Sequence, residues 1–185
     1  MSDDLFTGRL LVATPALRDP NFARSVVYVL LHEPDGALGV VVNRPTSMPV
    51  TDILPSWQPV VTEPGVVFQG GPVSLDSALG LVAMVDGNEP LGVRRVSGRV
   101  GVVDLDAPPE VVQPGVVAMR VFAGYAGWSP DQLESEIDEG SWYVVDAHPE
   151  DAFRGDVDVL WQTVLRRQDG LLAMMATFPP DPSLN

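Results

Sequence analysis

The stretch Ser25-Val-Val-Tyr-Val-Leu-Leu-His-Glu-Pro-Asp-Gly-Ala-Leu-Gly-Val-Val-Val42 decides the fold. Two apolar runs rich in β-branched valine flank Glu33-Pro-Asp-Gly36, and Asp35-Gly36 supplies turn residues between them. That pattern predicts an antiparallel hairpin. The same texture recurs along the chain, which holds 30 valines against two isoleucines, mostly in short runs bounded by Gly, Pro, Asn or Asp. Strands are expected near Arg9–Ala13, Ser25–Leu31, Ala37–Asn43, Val66–Gln69, Leu79–Val85, Arg94–Val103, Val116–Ala123 and Trp142–Asp146.

Helix signals are fewer. In Ser129-Pro-Asp-Gln-Leu-Glu-Ser-Glu-Ile-Asp-Glu-Gly140, Ser129 can cap, Pro130 suits the first helical position, Gln132 completes a capping box and Gly140 stops the helix. Its apolar edge is only Leu133 and Ile137, which suits a position on the rim of a sheet. A second helix, from about Asp156 to Arg167, gathers Val157, Leu160, Trp161, Val164 and Leu165 into one stripe that can cover a core. Prolines 45, 49, 55, 59 and 64 predict loop between Asn43 and Val66, with one short turn at Thr51–Leu54, and 104–115 reads as a helix-free loop. The fold class expected is α+β, a single domain over 1–185 with a mixed, largely antiparallel sheet and a few flanking helices.

Composition narrows the chemistry. The 185 residues include no cysteine, which excludes disulfides, zinc-thiolate sites and thiol nucleophiles. All 11 basic residues are arginine, so Schiff-base and P-loop lysines are excluded as well. A net charge of −14 repels nucleic acid and anionic membranes, and no run approaches the roughly 18 to 20 apolar residues of a membrane-spanning helix. Asp3 and Asp4 stand where a secretion signal carries positive charge, so a cytoplasmic location is expected.

Candidate catalytic groups are sparse. His32 and His148 lie far apart, each beside acids and proline, with no metal-ligand spacing; His32, in a turn, is expected to be solvated. Glu134, Glu136, Asp138 and Glu139 lack the alternating pattern of a calcium loop and read as a solvated helix face. No Gly-x-Ser-x-Gly, Gly-x-Gly-x-x-Gly or His-Glu-x-x-His occurs. Among Arg94, Arg95 and Arg99, strand alternation puts only two on one face, a poor phosphate track. Neither metal nor cofactor is expected, and the residue chemistry points away from an enzyme without closing the question.

Three segments are odder than composition requires. Asn43-Arg44-Pro45 ends a valine strand with an arginine pinned by proline, Gln69-Gly70-Gly71-Pro72 bends abruptly, and Gly124-Tyr-Ala-Gly-Trp128 runs from strand toward helix. Together with Gly8-Arg-Leu-Leu-Val-Ala-Thr-Pro15, Phe22-Ala-Arg-Ser-Val-Val-Tyr28, Gly36-Ala-Leu-Gly-Val-Val-Val-Asn-Arg-Pro45, Gly70-Gly-Pro-Val73 and Gln132-Leu-Glu134, they resemble the AlgH/YqgE family over nearly the whole chain. Two positions depart: Asp131 stands where the family usually has glycine, and Leu81-Val-Ala-Met84 lacks the histidine often found there. The resemblance implies a compact α+β domain. It carries the family's usual label of transcriptional regulator, although the family is largely uncharacterised.

The leading expectation is a cytoplasmic regulatory protein acting through a protein partner, without direct nucleic-acid or membrane binding. The alternative is a small-ligand-binding domain or cryptic enzyme. In either case the candidate ligand- or partner-binding residues are Asn43, Arg44, Gly70, Gly71, Tyr125 and Trp128. Glycine at 70 and 71 would let another molecule approach the main chain, and Arg44 is the one charge between Val40 and Val50.

Overall fold

Valine shapes the architecture because its branched side chain packs well on a pleated surface. The structure, a computed structural model, describes residues 5–86 and 88–180. The strands are β1 Arg9–Ala13, β2 Val26–Glu33, β3 Gly36–Val41, β4 Pro45–Pro49, β5 Val66–Gln69, β6 Val73–Met84, β7 Val93–Ser97, β8 Val100–Val103, β9 Val116–Trp128 and β10 Trp142–Asp146. Short helices follow: α1 Pro109–Val112, α2 Gln132–Asp138, α3 Leu160–Arg166 and α4 Leu171–Met175. The strands form one curled sheet in the order β10-β1-β2-β3-β9-β6-β8-β7, with β4 paired to β5 and β5 parallel to β9. All other pairings are antiparallel, so the α+β class expected from the sequence is the one found.

Continuous valine runs appear where both faces of the sheet are covered. Along β1, Leu10 and Val12 enter the core beneath α3 with Leu160, Trp161, Val164 and Leu165. Leu11 and Ala13 point the other way and pack with Leu133 of α2, Trp128 and Trp142. The stripe proposed for the second helix is therefore its buried face, entered through a 3₁₀ turn at Val157–Val159. Trp161 is anchored by its indole N–H, which donates to Ala13 O at 2.8 Å. Burying side chains of this size contributes about 1.5–3 kcal/mol each. A third core lies under the proline-rich 50–64 stretch, where Trp57 packs with Val82, Met84, Val112 and Met119.

The long strand β9 unites the sheet. Its first part pairs with β6 from Met84↔Val116 to Ala78↔Ala123, and its last residues pair with β3 from Gly39↔Ala126 to Ala37↔Trp128.

Several boundaries differ from the sequence expectation, each for a local reason. The hairpin pairs Glu33 with Gly36, so its turn is Pro34-Asp35 and Gly36 opens the next strand. Gly36 has φ +138° and would drive a Cβ into Trp128 O. The expected strand Arg94–Val103 is two strands, folded back at Gly98 with φ +55°. Proline did not prevent Pro45–Pro49 from pairing with β5, because contact is confined to Pro45↔Phe68 and Pro49↔Val66 around an irregularity. The 104–115 stretch, read as helix-free, contains the single turn α1, with Pro109 in its first turn. Asp131 precedes α2 in the left-handed region at φ +63°, a backbone position that suits glycine.

Candidate functional site

The six residues singled out by sequence lie along one backbone path. Just beyond β3, Asn43 Oδ1 accepts the Val26 N–H at 3.0 Å and its Nδ2 donates to Arg24 O at 3.0 Å. The side chain thereby takes the place of a strand partner. Arg44 donates from Nη1 to Pro20 O and from Nη2 to Ala23 O, both at 2.8 Å. Burial lowers the Arg44 pKa, and the nearby Asp19 charge opposes that shift. The two residues together clamp the 19–24 loop against the sheet.

From Arg44 the path continues through its carbonyl, which accepts Gln69 N–H, to Gly70, whose N–H donates to Ala123 O. A Cβ on Gly70 would collide with Gly124 O, and one on Gly71 with the Tyr125 backbone. The main chain that these glycines admit is β9. Trp128 is buried, with Phe22 and Trp142 rings 6.5 and 6.1 Å from its own. Of the six, Tyr125 alone turns a half-buried ring toward the face opposite Trp128, where it packs against the core beneath α3.

Strand register defines the exposed stretch of that face. Leu31 pairs with Leu38, Leu38 with Gly127, and Tyr125, two residues before Gly127, pairs with Val73. Cross-strand neighbours and alternate residues share a face, so Leu31, Leu38, Tyr125 and Val73 form one apolar stripe across β2, β3, β9 and β6. Leu31 and Leu38 are each 39% exposed, Val73 37%, and Leu75 beside them 53%. The Tyr125 ring and the Leu38 side chain both flank Gly127. A cavity of about 410 Å³ borders the stripe, walled by Leu30, Leu31, Leu79 and Val102, with Arg94 and Arg95 also lining it. Sequence reasoning missed this surface, because its residues come from four strands and only the register aligns them.

The histidine expected in solvent is buried. His32 stacks against Phe6 at 4.9 Å between centroids, and its Nε2 lies 2.6 Å from Glu134 Oε1. Desolvation would raise the Glu134 pKa, but hydrogen bonds from its own backbone N–H and from His32 outweigh this and hold it below the usual carboxylate range. Among the described residues Nδ1 of His32 finds no hydrogen-bond partner, so they assemble no relay from it to a nucleophile. Among the described residues, no three of His, Asp and Glu converge to hold a metal ion, and no helix is long and apolar enough to cross a membrane.

Two further buried charges escaped the sequence reading. Arg120 on β9 is fully buried, stacks over Phe68 at 4.3 Å, and donates to Ala152 O, Arg154 O and Glu63 O at 3.2, 2.9 and 2.9 Å. Burial pushes its pKa down to about 10, which leaves it charged at neutral pH. Asp151, also buried, accepts hydrogen bonds from Arg167 Nη1 and Nη2 at 2.7 and 2.6 Å and from the His148 N–H at 2.6 Å. These groups tie the 148–154 turn to the sheet.

Fold and site define an α+β protein built on a curled half-barrel of mostly antiparallel strands. A family model described as AlgH-like matches residues 10–173. The UPF0301 protein of Streptomyces coelicolor is 62% identical over 184 residues, covering 97% of this chain and 95% of that protein. A UPF0301 protein of Thermobifida fusca is 51% identical over 188 residues, with 97% and 95% covered. A crystal structure of a Corynebacterium diphtheriae protein superposes with a TM-score of 0.89 at 36% identity, covering 96% of this chain and 95% of that one. The AlgH protein of Pseudomonas aeruginosa, at TM-score 0.70 and 24% identity over 97% of both chains, shares the fold. The chain belongs to the AlgH-like family.

Proposed function

We propose that this chain is a non-catalytic cytoplasmic regulatory protein that acts through a protein partner, docking it on the apolar stripe Leu31–Leu38–Tyr125–Val73. The observation that carries this reading is the exposure of Leu31, Leu38 and Val73 beside the half-buried Tyr125, in register across four strands, on a chain of net charge −14. Contiguous exposed apolar surface rimmed by polar groups marks protein contact sites. The acidic balance selects a partner with basic groups around an apolar centre. A role in transcription rests on family resemblance alone, and the partner route follows from the poor prospects of an acidic chain for binding DNA itself.

The test is genetic complementation with a folded variant. In a strain lacking the gene, the wild-type chain restores the transcript profile, whereas Leu38→Glu, with unchanged circular dichroism and melting, does not. Full restoration by Leu38→Glu would remove the stripe from the function. The small-ligand alternative at Asn43 and Arg44 has less support, since both side chains are engaged inside the chain.

A further inference from the structure

At the end of the molecule where Asn43 and Arg44 clamp the 19–24 loop lies a cleft of about 380 Å³. Its walls are apolar, formed by Pro15, Leu17, Phe178 and Pro179, and two arginines, Arg18 and Arg24, line it with no carboxylate among the described lining residues. On a chain with 11 arginines against 25 acids, this is a local inversion of charge. Asp19, the one acid of the loop, uses its carboxylate to accept the Asn21 N–H and lies near Arg44.

Arg24 is held in place from both ends. Its backbone sits at φ +56°, a left-handed conformation that is strained for an arginine, and Asn43 Nδ2 donates to its carbonyl. Its guanidinium lies 4.0 Å over the Trp161 ring, and Nη1 donates to Phe178 O at 3.0 Å. No described residue takes up the remaining N–H groups in a hydrogen bond or ion pair. A fork fixed by stacking loses little entropy when it binds, and its planar donors suit an oxyanion.

We propose that this cleft binds a small organic oxyanion, a carboxylate or phosphate monoester carried on a compact apolar body, with Arg18 and Arg24 as the anion contacts. The apolar walls take the body of the ligand, and the volume falls within the range of small-molecule sites. Asn43 and Arg44 are positioning residues, acting through the loop they hold. This site is separate from the apolar stripe, and its test stands apart from that of the partner.

The experiment titrates the full chain with benzoate, phenyl phosphate, inorganic phosphate and benzyl alcohol, followed by calorimetry and amide NMR shifts. Saturable binding of benzoate or phenyl phosphate is expected, with shifts clustered at 14–24 and 176–180; which of the two binds identifies the carboxylate or the phosphate as the source. Arg18→Gln, at an exposed position, and Arg24→Gln each weaken binding at least tenfold, while Arg99→Gln leaves it unchanged. Equal binding of benzyl alcohol, inorganic phosphate binding as tightly as phenyl phosphate, unaltered affinity in both arginine variants, or no saturation by any probe would each overturn the proposal.

Discussion

Arg44 gives two charge-assisted hydrogen bonds to the carbonyls of Pro20 and Ala23 from a half-buried position. Arg44→Ala should therefore lower stability by roughly 1.5–3 kcal/mol, more than the loss of an exposed ion pair, as read from a urea midpoint. A midpoint shift equivalent to less than about 0.5 kcal/mol would return the residue to a contact role. Arg120 makes a sharper case. Arg120→Ala leaves three carbonyls unpaired beside a cavity and should cost roughly 3–5 kcal/mol. Arg120→Met fills most of the volume and removes the buried charge, so it should cost clearly less. Equal losses in the two variants would mean that the hydrogen bonds, not the packing, hold the 152–154 turn. At this scale the sequence singled out Arg44 through its isolation among apolar residues and the following proline. It offered no signal for Arg120, which sits in an ordinary-looking valine strand, because the carbonyls that make its burial tolerable come from Glu63, Ala152 and Arg154.

Among the elements, the valine runs between turn residues were legible because strand propensity and local turn chemistry agree there; β1, β5 and β10 match the expected ranges. The splitting of Arg94–Val103 and the pairing of Pro45–Pro49 were not, since each depends on which strand lies alongside. Helix α2 shows the same division. Its edge of Leu133 and Ile137 could be read, but the link from Glu134 to His32 spans 102 residues and closes only in three dimensions. That link predicts a pH dependence. With its folded pKa depressed, Glu134 contributes stability above its unfolded pKa and loses it as pH falls through the folded value. Its side chain is 41% exposed, so the contribution is screened to less than about 1 kcal/mol. Glu134→Gln should thus be slightly less stable than wild type at pH 7, with the difference closing in acid below the carboxylate range. A gap in melting temperature that stays constant down to pH 3 would contradict this.

For the whole molecule, the sheet is covered by α3 on one face and by α2 and the proline-rich stretch elsewhere, and the stripe from Leu31 to Val73 is left open. Net charge and the scattering of its arginines, with Arg95 facing Glu89 at 3.6 Å and Arg99 facing Asp86 at 3.3 Å, leave few phosphate contacts to form. Duplex DNA should bind no better than weakly at physiological salt, and submicromolar, sequence-selective binding by fluorescence anisotropy would restore a direct regulator. The open stripe is the account's central claim, and site-specific photo-crosslinking in living cells tests it most directly. A photoreactive residue at Leu38 should give one discrete protein adduct, absent when the probe stands at exposed Asp158 on the far side of the cover. No adduct at Leu38, or the same adducts from both positions, would contradict the claim.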